Sequence, residues 1–178
     1  TAIGITDHAD YTNIEHIISC VSKAKYMEEV LDIRILVGAE LTHVPPPKIG
    51  PLASLARRLG AEIVVVHGET PVEPVRPGTN RAALEADVDI LAHPGFISLE
   101  EAELARENNV CLEITSRRGH NITNGHVVRL AKMAAAKMIV NTDSHAPGDL
   151  ISSKRAVEIA MGAGLTHEEA VDIVEKHA

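Results

Sequence analysis

Aromatic side chains are almost missing from this sequence: one Phe, two Tyr and no Trp, 2% of residues. Apolar content is nevertheless 45%, so a core has to be built from Ala, Val, Ile and Leu. That composition suits buried parallel strands covered by helices with small-residue faces. Cysteine is nearly absent too. Cys20 and Cys111 fit no metal or disulfide spacing and read as buried small hydrophobes in a reducing compartment, so a cytoplasmic location is expected. No apolar run approaches the roughly 18–20 residues of a membrane span, and no signal-peptide pattern is present; no membrane partner is expected. An excess of positive charge is also lacking, since 17 Lys and Arg face 25 Asp and Glu for a net charge of −8. Phosphate-backbone binding rests on clustered cations, so no nucleic-acid surface is expected, whereas one small phosphorylated substrate remains compatible. There is no G-x-G-x-x-G after a strand, which weighs against a dinucleotide fold. The 178 residues suit a single domain. Composition says nothing about oligomeric state.

What is present is a repeating unit of strand, polar residue and helix. Ala2 to Ile5 reads as a strand ending in Thr6, Asp7 and His8. Thr12 and Glu15 have the spacing of a capping box, and Ile14, Ile17, Ile18, Val21 and Ala24 follow at helical spacing. Ile33 to Val37 is a strand leading to Glu40, and Pro45 to Pro47 is expected as a rigid extended linker. A helix is expected from Pro51 to Leu59. Ile63 to Val66 ends in His67, and a proline-rich loop leads to a helix at Arg81 to Ala86. Ile90 to Ala92 ends in His93. Ser98 and Glu101 form another capping box. The strand from Val110 to Thr115 carries Glu113 and is followed by a loop, 116–121, and a helix from Thr123 to about Ala136. Met138 to Val140 leads to Asp143 and His145, which on a strand would point the same way. A helix ending near Gly164 follows, and Thr166 and Glu169 cap the last one. Six strands alternating with helices require an α/β fold with a parallel sheet. Because the polar residues recur at the C-terminal ends of strands, a closed β/α barrel accounts for them better than an open sheet.

His8, Glu40, His67, His93, Asp143 and His145 form the candidate metal set. One histidine on an apolar strand is more often a hydrogen-bonded core residue than a ligand. Equivalent positions on successive strands are what favour ligation here. Six donors exceed what one four-coordinate ion needs, and imidazoles with carboxylates suit Zn, Mn or Fe. Two or three divalent ions are therefore expected, with a glutamate able to bridge two. Such clusters bind phosphate oxygens, activate water and offset charge on a leaving oxygen, so the natural reaction is hydrolysis of a phosphate ester. Arg117, Arg118 and His120 are candidates for holding the substrate, each with a solvated-loop alternative. Asp7 and Glu113 are expected to orient ligands from behind. His43 and His126 are weaker candidates. His16, His167 and His177 read as surface residues.

The five segments Thr6–His8, Gly38–Glu40, Val66–Gly68, Ala92–Gly95 and Thr142–His145 come in the order seen in the PHP (polymerase and histidinol phosphatase) superfamily, and the chain resembles its stand-alone, histidinol-phosphatase-like members. The resemblance implies a distorted seven-stranded TIM-like β/α barrel and a trinuclear centre. It also implies that Glu40 bridges two ions, that His67 and His93 join it on one, that Asp143 serves another and that His8 and His145 share a third. Metal-activated water would hydrolyse a small phosphate monoester. Nucleotide or cyclic phosphodiester hydrolysis, or a non-catalytic binding module, are the alternatives. PHP proteins open with a His-x-His strand, which is lacking before Ala2, so a further N-terminal strand is expected ahead of Thr1.

Overall fold

A computed structural model describes residues 2–176; Thr1 and His177 lie outside the described residues. Strand β1 (Ala2–Ile5) and its two-residue continuation β2 (His8–Ala9) both pair in parallel with β3 (Arg34–Leu41), with Ala2 opposite Arg34 and His8 opposite Glu40. The offset is the same in both, and the Glu40 N–H donates to the Asp7 carbonyl at 3.0 Å. The two pieces are therefore one strand interrupted at Thr6 and Asp7. From β3 the ladder passes to β4 (Ile63–His67), β5 (Ile90–Ala92), β6 (Cys111–Thr115) and β7 (Met138–Asn141), parallel throughout. The sheet curls into a parallel half-barrel of the TIM type, with six strands alternating with helices.

The helices in chain order are α1 (Ile14–Lys23), the short α2 (Glu28–Leu31), α3 (Pro46–Arg58), α4 (Thr79–Leu84), α5 (Leu99–Glu107), α6 (Asn124–Ala134), α7 (Ser153–Gly162) and α8 (His167–Lys176). Apart from α2, which buries no residue, their apolar stripes pack on the outer face of the sheet. Alternation along each strand decides what goes there. Ala39 and Leu41 of β3, Val64 and Val66 of β4, Leu91 of β5 and Leu112 of β6 all join one core with Ile18, Leu52, Ala56, Ala105 and Ala131. The opposite parity packs a smaller inner cluster, Val65, Ile90 and Ala92 against Ile63, Cys111 and Ile139. By the same count Glu40, His67 and Glu113 fall on the inner side.

Several local expectations are corrected. Pro46 and Pro47 are not linker but the first turn of α3, where the missing N–H costs nothing, and the helix runs through Pro51. Thr12 and Glu15 make no capping box. α1 starts after Asn13 without a side-chain cap, because Asp10 has taken the Thr12 N–H at 2.7 Å in a turn of its own. Ser98 and Glu101 do form their box. Cys20 is exposed rather than buried, 3.5 Å from His16 Nε2, and Cys111 is only half-buried. His120 opens a short 3₁₀ turn instead of sitting in open loop.

The loops after β4 and β5 are pressed together. A Cβ on Gly68 would strike the Ala92 carbonyl oxygen and lie 2.8 Å from Pro94 Cα, and one on Gly95, held at φ +63°, would strike the Glu69 carbonyl oxygen. Asn80 bolts the pair from α4, accepting from the Glu69 N–H at 2.9 Å and donating to the Pro94 carbonyl at 2.9 Å. Gly95→Ala combines an unfavourable φ with a backbone clash, so it is expected to lower stability by about 1–3 kcal/mol or more. Urea denaturation measures it, and an unchanged midpoint would remove the close approach as the reason for this glycine.

Candidate metal centre

Each candidate donor sits at or just beyond the C-terminal end of its strand: His8 in β2, Glu40 in β3, His67 closing β4, His93 after β5, Asp143 and His145 after β7. One of them reaches the centre by breaking strand alternation. Ala92 faces inward, so a regular strand would send His93 outward; its φ of +29° turns the ring back. Asp143 has φ +46° and lies beyond the end of β7, so the expectation that Asp143 and His145 align as strand neighbours is corrected. A turn brings them together, with His145 Nδ1 donating to the Asp143 carbonyl at 3.0 Å. Positive φ at non-glycine residues is costly and is held in place by the surrounding structure. Of the six such residues among those described, His43, His93 and Asp143 are at this face.

The six donors gather into two compact groups. Glu40, His67 and His93 are buried, and His8, Asp143 and His145 lie nearer solvent; within each group the donor atoms are all within 4.8 Å of one another. Asp143 thus stands with His8 and His145. Glu40 lies between the groups. Its Oε1 is 3.7 Å from His93 Nε2 and its Oε2 is 3.9 Å from His8 Nε2.

The imidazoles are oriented from behind. His93 Nδ1 donates to Glu113 at 3.1 Å, and the His93 backbone N–H donates to the same carboxylate oxygen at 2.7 Å. His67 Nδ1 donates to the Gly68 carbonyl at 3.1 Å. Anchoring Nδ1 presents Nε2 forward, as in metal sites, where the second ring nitrogen is held by a carboxylate or carbonyl. Glu40 Oε1, His67 Nε2 and His93 Nε2 are buried and have no hydrogen-bond partner. Buried polar atoms are normally paired, and here three of them face one another. A divalent cation is the partner that would satisfy all three, so the residues fit a metal.

Titration follows from the crowding. Burial pushes Glu40 up to about 8, with Glu113, Asp143 and Glu73 adding to the rise and His93 opposing it. Burial, then His93, brings His67 down to about 4. Burial also disfavours the charged form of His93, but its hydrogen bond to Glu113 and the nearby carboxylates outweigh this and raise it. Asp143 is raised, chiefly by burial.

The remaining sequence candidates divide. Glu113 is buried behind His93, as described. Asp7 is exposed, and among the described residues its side chain makes no hydrogen bond to an imidazole; only its backbone carbonyl is engaged. Arg117 is bound to acids, 3.0 Å from Asp149 and 3.8 Å from Asp143, so it steadies Asp143. Arg118 is exposed and has no ion pair among the described residues. His120 is buried, its ring 4.4 Å from that of His93 and its Nδ1 3.0 Å from Thr70 Oγ1. His43 stacks on His67 at 5.7 Å. His126 is structural, donating to the Ile97 carbonyl at 2.7 Å. Sequence reasoning missed Glu73, which lies 3.5 Å from His43, 3.7 Å from His67 and 3.9 Å from His120. Nothing in a proline-rich loop singled it out.

A protein of Methanocaldococcus jannaschii, the uncharacterized protein MJ1295, is 53% identical over 171 residues, covering 94% of this chain and 78% of the relative. The chain belongs to the family of MJ1295. No family model matches it. Among solved structures, the MJ1295-family fold is similar to a chain in archaeal ribonuclease P with mature tRNA, with a TM-score of 0.68 at 14% identity over 99% of this chain and 84% of that one. An amidohydrolase is similar at TM-score 0.57 and 16% identity, over 90% of this chain and 46% of the other. The ribonuclease P match corrects one expectation. Net negative charge predicts no nucleic-acid partner, yet this fold occurs in an assembly with tRNA, so total charge does not exclude one. Among the described residues no helix is long and apolar enough to cross a membrane.

The shifted groups set a pH dependence for metal-free protein. Folded Glu40 keeps its proton up to about pH 8, against an ordinary value of 4.5, so across that window the folded state binds more protons than the unfolded one. Stability then falls as pH rises. His67, at about 4 instead of 6.5, has the opposite slope, but only below 6.5. The urea midpoint of chelator-treated protein is therefore expected to drop from pH 6.5 to above pH 8, with the raised His93 contributing in the same direction, and Glu40→Gln should make the drop smaller. Parallel profiles for the two proteins would refute the assignment.

Proposed function

We propose that the chain is a metal-dependent phosphoesterase of the PHP type that hydrolyses a small phosphate monoester, as histidinol-phosphatase-like proteins do. The observation that carries this reading is the convergence of three buried, unpartnered donor atoms, Glu40 Oε1, His67 Nε2 and His93 Nε2, beside a second donor group. The order of the five motif segments supports the PHP assignment.

Glu40, His67 and His93 would hold one divalent ion, and His8, Asp143 and His145 a second, with the Glu40 carboxylate positioned to touch both. Nitrogen and oxygen donors without thiolate suit Zn, Mn or Fe. When bound, such ions supply Lewis acidity and an activated water to a phosphate ester. The protein's own contribution is positioning. Glu113 holds the His93 ring, and Arg117 with Asp149 holds the turn that carries Asp143. Arg118 is free to take a non-reacting phosphate oxygen. The buried imidazole of His120 walls the side away from solvent, where excluded water strengthens every charge interaction.

Phosphate release from a panel of monoesters, with Mn or Zn added and chelator as control, tests the reading. Asp143→Asn is expected to lower turnover at least about a hundredfold, within the range for lost electrostatic stabilisation, while leaving the unfolding midpoint nearly unchanged. Wild-type turnover in that variant would refute the role. A second reading is favoured by the ribonuclease P likeness: a binding module of a ribonucleoprotein. Filter retention of tRNA by metal-loaded protein that releases no phosphate from any monoester would favour it; no retention together with metal-dependent release would dismiss it.

A further inference from the structure

Glu73 has no place in either compact donor group, yet its surroundings are those of a metal ligand. It lies in the loop between β4 and α4, and that loop is clamped at its base. Glu69 Oε1 accepts from the Gly78 N–H at 2.9 Å and the Asn80 N–H at 3.0 Å. Thr70, at the loop's start, contacts His120 Nδ1. The carboxylate is thereby hung over the centre. Its Oε2 is 3.7 Å from His67 Nε2, the same separation that Glu40 Oε1 keeps from His93 Nε2. Two donors on one ion with bonds of about 2.0–2.2 Å stand only slightly closer than this. His67 Nε2 is moreover one of the buried atoms with no hydrogen-bond partner.

The inner group supplies three donors, and a four-coordinate ion has one position left. The geometry points to Glu73 as the fourth protein donor to the ion held by Glu40, His67 and His93. It is a displaceable one: 44% of its side chain is exposed, which leaves room for rotation, and His43 at 3.5 Å and His120 at 3.9 Å hold the carboxylate when it is off the ion. An incoming substrate oxygen would take the position Glu73 vacates. This inference rests on the metal centre of the proposed function and not on the reaction assigned to it.

The test is titration of metal-free full chain with Co²⁺, followed by competition with a chelator and by visible absorption, whose intensity reports coordination number. Glu73→Gln is expected to weaken one Co²⁺ by about 10–100-fold, the loss typical when a supporting group at a metal site is removed, and to change its spectrum. His43→Ala, which removes one of the two holding partners together with its stack on His67, should bind Co²⁺ at least as tightly as wild type. Wild-type affinity and an unchanged spectrum in Glu73→Gln would overturn the assignment, as would a wild-type chain that takes up no Co²⁺. Glu73-dependent Co²⁺ binding in a protein that releases no phosphate would uphold this inference and dismiss the hydrolase reading.

Discussion

Everything at the C-terminal face depends on an electrostatic problem that the polypeptide leaves unsolved. Three polar atoms, from Glu40, His67 and His93, are buried against one another with no hydrogen bond between them. In a low-dielectric interior each such atom costs on the order of 1–3 kcal/mol. The pKa of Glu40, raised to about 8 mainly by burial, is the same cost expressed as a proton. A cation removes both penalties at once. The site thus fits a ligand from outside the chain, and apolar clusters pack on either side of the sheet beneath it.

Around that point the structure is held by a set of backbone devices. Gly68 and Gly95 let the β4 and β5 loops approach closer than any side chain would allow. Asn80 ties those loops together. A left-handed conformation at His93 aims a side chain that a regular strand would misdirect, and another at Asp143 sits in the turn beyond β7. Glu113, inside β6, reaches across to both the backbone and the ring of His93. The left-handed residues sit in these loops, while the buried Glu40, His67 and Glu113 are carried by the regular strands beneath them. That division is expected where function asks for geometry that folding alone would not select.

The match to a chain of archaeal ribonuclease P has a physical lesson for reading charge. Net charge averages over the whole surface, whereas phosphate recognition is local. At this face Arg118 has no ion pair among the described residues, Arg117 is committed to Asp149 and Asp143, and the donor groups themselves would turn electropositive on binding cations. A chain of −8 can therefore meet phosphate at one point.

The sequence by itself determined the strands, their order along the chain, the burial of the central ones and the recurrence of donors at strand ends, whereas β1, read as equally apolar, is largely exposed. Those follow from apolar runs of period-independent Val, Ile and Leu broken by polar residues, a signal local to each segment. It also carried the capping box at Ser98 and Glu101, because both partners are three residues apart. Tertiary structure alone decided the rest. The grouping of Asp143 with His8 and His145 depends on how far the sheet curls, and the inward turn of His93 depends on one backbone dihedral. Glu73 gained its place because a loop folds back over residues distant in the chain. Pro46 and Pro47 became helix because the first turn of a helix has no use for their missing N–H groups, a choice made by where α3 must dock. Donor identity is written in single residues, but donor geometry is a property of long-range packing, and no local pattern encodes it.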